Sequence, residues 1–328
     1  MTRLWGWWTE HKLQILEDYL QAFAVASSGT RERIYLDLFA GLLENRSREN
    51  NEEIFGSVHR ALKVRPPFTH IQLFELPAAA RRLETALRDI APGRRNIRVH
   101  HGDCNRTITS ALEELAPVRW APTFAFVDQY AAEVHWSTLE QVAKFRRGKT
   151  KAEMWILFGT SFLPRGLEIG QEHMNAEFGD RLTDMYGSEE WQPIVHAQRR
   201  GILSPMEARF ELVNLMRWRL ERELGYKETH AFTMKNTGGA DLYHMIFVSD
   251  HHAGNKIMRH LYKKALSRHE EMRQQALTMR RIKRQEASNE AKGLQGLFEV
   301  EPSMVRAPNI NNSAGYIAEP PREPYQLR

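Results

Sequence analysis

Four acidic residues recur through the first half of the chain at intervals of roughly thirty residues: Asp37, Glu75, Asp103 and Asp128. Each stands at or just past the end of a short apolar run. If those runs are strands of one parallel sheet, the repeat of strand, helix and strand brings all four carboxylates to the same edge, where open α/β sheets bind ligands. A carboxylate after the second strand suits both hydroxyls of a ribose, and Glu75 holds that position. Asp103 is placed to accept from an adenine amino group. Gly41, in the turn that follows Asp37, lets the backbone come close to a ligand. Asp128 and Tyr130, after the fourth run, are the candidates for the reacting end: Asp128 accepts a hydrogen bond from an amine or hydroxyl nucleophile, and Tyr130 stacks on a planar acceptor. The plainer roles for these positions are turn and cap residues for the carboxylates, core packing for Phe39 and a packed lid for Tyr130.

The elements that must position them read clearly. Arg33 to Gly41, Thr69 to Glu75, Asn96 to His100, Thr123 to Asp128 and Glu153 to Phe158 are expected as strands covered on both faces. Helical stretches separate them, near Val58 and Leu62, over Pro77 to Ile90, Thr107 to Leu115 and Trp136 to Phe145. A first helix is expected to carry Leu13, Leu16, Leu20 and Phe23 on one face with Thr9 as its N-cap. Residues Arg46 to Asn51 read as a loop. Residues Arg165 to Gly225 read as an inserted helical cap, clearest from Met206 to Leu224. Thr229 to Lys235 and Leu242 to Ser249, joined by Asn236-Thr-Gly-Gly-Ala-Asp, read as an antiparallel hairpin. The expectation is a doubly wound, mostly parallel Rossmann-like α/β sheet with a C-terminal antiparallel hairpin and a helical insertion, an arrangement associated with class I methyltransferases. Its expected parts are an N-terminal helical segment (1–33), the Rossmann-like core (34–164), the insertion (165–228), the hairpin (229–250), a basic helix (251–286) and a flexible tail (287–328).

Charge is unevenly placed. The whole chain carries +5, yet Lys256 to Gln285 holds ten Lys or Arg against Glu270 and Glu271, which makes that stretch +8 and leaves the rest at −3. Lys256, Arg259, Lys263, Lys264 and Arg268 therefore form a candidate surface for nucleic acid or a protein partner, against the plainer reading of a solvated helix face. The single cysteine, Cys104, provides neither a disulfide nor a cluster ligand set, and no neighbouring base marks it as a nucleophile. His100-His101 and His251-His252 are adjacent pairs; on a strand such neighbours point to opposite faces, which argues against a shared metal. No apolar run approaches the ~20 residues of a membrane span and the first residues lack a secretory pattern, so a cytoplasmic protein is expected.

An ordered set of segments carries a resemblance. Trp8 to Phe23, Tyr35-Leu-Asp-Leu-Phe-Ala-Gly41, Gly102-Asp-Cys-Asn105, Phe126-Val-Asp128 with Trp136-Ser-Thr-Leu139, and Leu242 to Met258 together resemble the three-Cys-motif partner protein (TcmP) family. The resemblance runs from about residue 5 to 266. It implies a class I methyltransferase-like fold and a companion iron–sulfur protein bearing a three-cysteine motif. The Asp-Leu-Phe-Ala-Gly string also resembles the first motif of DNA methyltransferases, which implies S-adenosylmethionine as cofactor, held by Asp37, Phe39, Ala40, Gly41, Glu75, Asp103 and Cys104. The resemblance implies no settled acceptor, with a nucleic acid or nucleotide favoured; the alternatives are a non-catalytic adaptor with a degenerate cofactor fold, or a nucleic-acid-binding protein using its basic helix. Two departures stand out. Leu42-Leu43 replaces the family's Pro-Gly, with the Leu43 side chain expected to crowd the cofactor's methionine end, and Gln129 stands where the family has Pro.

Overall fold

The computed structural model describes residues 4–169, 175–291 and 315–326. The chain first forms β1 (Leu4–Trp5) and α1 (Trp7–Ala26), then β2 (Ile34–Asp37), β3 (Glu44–Ser47), β4 (Glu53–Phe55), α2 (Ser57–Lys63), β5 (His70–Glu75) and α3 (Pro77–Ile90). β6 (Ile97–His101), α4 (Cys104–Glu114), β7 (Thr123–Val127), α5 (Trp136–Phe145) and β8 (Glu153–Phe158) complete the first half. Four helices follow: α6 (Leu163–Gly166), α7 (Ala176–Tyr186), α8 (Gln192–Arg199) and α9 (Pro205–Arg222). The chain then closes with β9 (Glu228–Lys235), β10 (Asp241–Ser249), α10 (His252–Ala291) and β11 (Tyr316–Ile317).

The main sheet has eight strands in the order β11-β9-β10-β8-β7-β2-β5-β6. β6, β5, β2, β7 and β8 are mutually parallel, whereas β10 runs antiparallel to both β8 and β9. The sheet is thus mixed but mostly parallel, with helices on both sides. The chain leaves β2 toward β5 and β6, then returns to β7 on its other side. That reversal puts the topological switch point between β2 and β7.

Two apolar layers sandwich the sheet, and the strands feed them alternately. Ile34, Leu36, Ala125, Val127, Met154, Ile156 and Phe158 face α4, α5 and α7 to α9. Tyr35, Phe124, Phe126, Trp155 and Leu157 face α1, α2 and α10. The helices expected as an inserted cap therefore pack as the second layer of the sandwich. A capping box at Ser204 and Glu207 starts α9. Just past its end, Gly225 takes φ 70.

Three local expectations are corrected. α1 begins at Trp7, with Gly6 at the N-cap in place of Thr9. A Cβ at Gly6 would lie 2.5 Å from the Trp8 ring, so a side chain there would have to displace that ring. The expected loop at Arg46 to Asn51 contains part of β3, and β1, β3 and β4 form a separate three-stranded sheet. The tail expected to be flexible is described only in part: Tyr316 and Ile317 pair with Phe232 and Ala231 as an edge strand. Among the described residues, no helix is long and apolar enough to cross a membrane.

Candidate functional site

The turn after β2 is fastened from both sides. Leu38 N–H donates to Phe126 O (3.0 Å) and Ala40 N–H to Phe74 O (3.1 Å), so the turn takes its position from the two flanking strands. Gly41 adopts φ 64, a left-handed conformation that a side chain would strain. Gly56, just before α2, donates to Leu43 O, and a Cβ there would lie 2.4 Å from Leu42 O. The missing side chain lets α2 close over the turn.

Above these strand ends lies a cleft of about 450 Å³, within the usual range for small-molecule sites. Phe39, Ala40, Gly41 and Leu42 form one wall, and Asp128, Gln129 and Tyr130 another. Trp8, Thr9 and Lys12 of α1 close it from above, with Arg48, Phe162 and Tyr243 at its sides. Five of the residues anticipated from the sequence thus meet in one cleft: Phe39, Ala40, Gly41, Asp128 and Tyr130. Leu43 is buried in the core at 6% exposure, so its side chain does not crowd the cleft; Leu42 lines it instead.

The other anticipated residues are placed differently. Glu75 sits at the end of β5 and accepts from the N–H of Leu76 (2.5 Å). Asp103 caps α4, accepting from Asn105 N–H (2.9 Å). Neither lines the cleft, although both stand on the same edge of the sheet. Cys104 is buried, and burial first, then the Asp103 charge, pushes its thiol up to about 12, so no thiolate forms at neutral pH. His100 bonds Gln72 (2.6 Å) inside the structure while His101 meets Glu84 (3.0 Å) outside it.

Asp37 is fully buried behind the turn, outside the cleft lining. Its Oδ2 accepts from the Tyr35 hydroxyl (2.9 Å), and its Oδ1 has no partner. Burial raises its pKa from 3.8 to about 7, with the Asp128 charge adding to the rise and neighbouring hydroxyls opposing it. A raised folded-state pKa gives stability that is complete below the unfolded value and lost as pH climbs through the folded one. Between pH 3.8 and about 7, Asp37 is therefore expected to withdraw stability of order 4 kcal/mol, and Asp37→Asn to remove that slope. Urea unfolding of both proteins across this window checks it; parallel pH profiles would show that Asp37 titrates normally.

Lys12 is the residue that sequence reasoning missed. It is nearly buried, and its Nζ lies 2.5 Å from each carboxylate oxygen of Asp128. The rings of Tyr243 and Phe126 flank the ammonium at 5.7 and 5.9 Å. The anticipated acceptor-binding carboxylate is thus held in an ion pair by α1. Gln129, standing where Pro was expected, stiffens the same loop: its Oε1 accepts from Glu133 and Val134 N–H, and its Nε2 donates to Leu157 O (3.1 Å). Tyr130 is 63% exposed and lies against Phe162 with ring centroids 4.6 Å apart. Of the basic-helix residues, Lys256, Lys263 and Lys264 are exposed, whereas Arg259 pairs with Glu228 (2.6 Å) and Arg268 with Asp18 (3.3 Å).

Fold and site define an α/β protein with a mostly parallel sheet and an open switch-point cleft walled by aromatic rings around a buried cation. No family model matches the chain, and no curated protein matches it. Among solved structures, the chain is similar to the protein LPL1258 of Legionella pneumophila str. Philadelphia 1, described as family-model DUF519. The TM-score is 0.44 at 11% identity, covering 78% of this chain and 91% of that one.

Proposed function

We propose that this protein binds S-adenosylmethionine at the switch-point cleft and transfers its methyl group to a nucleic acid or nucleotide, in company with a three-cysteine-motif iron–sulfur protein. The observation that carries the reading is the sheet order. Parallel strands β6-β5-β2-β7-β8, extended by an antiparallel hairpin with β10 inside β9, are the arrangement expected of a class I methyltransferase. The partner rests on the family resemblance alone.

The turn at Phe39 to Leu42 fits such a cofactor, while Glu75 and Asp103 stand outside the cleft lining on the same edge of the sheet. The Phe39 to Leu42 turn offers a backbone free of side chains at Gly41, and Glu75 stands at the next strand end, where a ribose would reach it. The cofactor supplies an activated methyl on sulfur, so the protein's work is to orient and to exclude water. Tyr130 and Phe162 offer a flat face to a planar acceptor. Asp128 accepts a hydrogen bond from the acceptor's amine or hydroxyl once Lys12 yields one of its oxygens. The Lys12 ion pair equally favours a second reading, an adaptor whose carboxylate serves structure and whose cleft transfers nothing.

Calorimetric titration with S-adenosylmethionine and S-adenosylhomocysteine separates the two. Methyltransferase function predicts micromolar binding, weakened about tenfold or more in Glu75→Ala and in Asp103→Ser, which keeps a helix cap. A folded protein that binds neither ligand at millimolar concentration contradicts it and leaves the adaptor.

A further inference from the structure

Helix α10 outruns the core it packs on. Its inward stripe carries Met258, Tyr262, Ala265, His269 and Ala276, all buried, at helical spacing. Four and then three residues further along, the same stripe carries Arg280 and Lys283. With Arg281 and Arg284 beside them, these four cations are exposed, and no carboxylate among the described residues pairs with any of them.

This cationic end lies at the rim of the cleft. Lys283 Nζ donates to the backbone oxygen of Arg48 (3.3 Å). The Arg48 guanidinium sits 5.7 Å from the Trp8 ring centroid, and both residues line the cleft. Of the basic surface anticipated at the start of the helix, Arg259 and Arg268 are taken up by ion pairs to Glu228 and Asp18 while Lys256, Lys263 and Lys264 stay exposed; the cations beside the cleft are those at the opposite end.

We propose that the end of α10, with Arg48, holds the phosphate backbone of a single-stranded nucleic acid, one of whose bases enters the cleft and stacks at Tyr130 and Phe162. The substrate class within this inference rests on the methyltransferase reading; the binding surface does not. Successive exposed cations that no carboxylate among the described residues pairs with suit a polyanion. The ring pair then chooses among polyanions. A base gains about 1–3 kcal/mol by stacking on an aromatic side chain, while an acidic peptide has no flat face to offer. A duplex keeps its bases in the stack and would first have to expel one.

Fluorescence anisotropy with a labelled, mixed-sequence RNA of about 16 nucleotides tests this on the full chain. The Arg280→Ala/Lys283→Ala/Arg284→Ala variant is expected to bind about tenfold or more weakly at low salt and to lose about 2 from the log–log salt slope, some 0.7 per lost phosphate contact. Lys256→Ala/Lys263→Ala/Lys264→Ala, at the other end, should leave both nearly unchanged. Tyr130→Ala should weaken binding without changing the salt slope. Absent wild-type binding, equal losses in the two triple variants, an unchanged Tyr130→Ala, or equal competition by polyglutamate would each overturn the proposal. S-adenosylhomocysteine titrations of the same variants keep the readings apart: cofactor binding without RNA binding removes only the docking surface, and the reverse removes only the methyltransferase.

Discussion

Lys12→Ala is expected to lower the unfolding free energy by about 2–4 kcal/mol, a large effect for a single lysine. The side chains of Lys12 and Asp128 are 6% and 24% exposed, and they join α1 to the end of β7 across 116 residues of sequence. Removing one partner leaves the other charge in a place water reaches poorly, which is why breaking such a pair costs more than the pair itself contributes. The partial exposure of Asp128 keeps the figure toward the lower end. Lys12→Met/Asp128→Leu, which removes both charges and fills the space, should recover most of the loss. Urea unfolding of the three proteins checks this. A single variant as stable as wild type would mean that the ion pair does not hold α1 over the cleft.

Ending the chain at residue 314 is expected to cost about 3–5 kcal/mol, although the removed segment contributes a strand of only two residues. The loss comes from partners left behind. Arg217, 2% exposed, donates to Glu319 O (2.6 Å) as well as to Thr229. Asn214 makes a reciprocal pair with the backbone of Arg322 (2.9 and 3.0 Å), and buried Glu211 pairs with the Arg322 side chain. Each buried group stranded without its partner costs about 1–3 kcal/mol, offset where water can enter. A truncated protein with the wild-type urea midpoint would show that the segment merely rests on α9 and β9.

These two contacts also mark what the sequence conceals. The strands beneath the cleft were legible because both faces are covered: Phe124 to Val127 is an uninterrupted apolar run, and its alternate side chains enter two different layers. The hairpin was legible from its turn residues. The small β1-β3-β4 sheet was not, since its buried positions in β3 are Asn45 and Ser47, and polar residues in a four-residue strand leave no apolar alternation to read. Lys12 reads as the solvent side of an amphipathic helix until its partner, distant in sequence, is known. Beyond Ala265 the inward stripe of α10 narrows to His269 and Ala276, too thin for the pattern to reveal which side faces the protein. Glu75 and Asp103 were correctly expected at strand ends, but strand ends alone do not say which of them border the open space.

The proposed binding of S-adenosylmethionine at the end of β2 is tested most directly by a crystal structure of the protein grown with S-adenosylhomocysteine. The adenosine is expected between the Gly41 turn and Glu75, the ribose hydroxyls on that carboxylate, and the amino-acid end directed toward Asp128. Ligand lying elsewhere, or well-ordered crystals at saturating ligand with none on this edge of the sheet, would contradict the proposed binding.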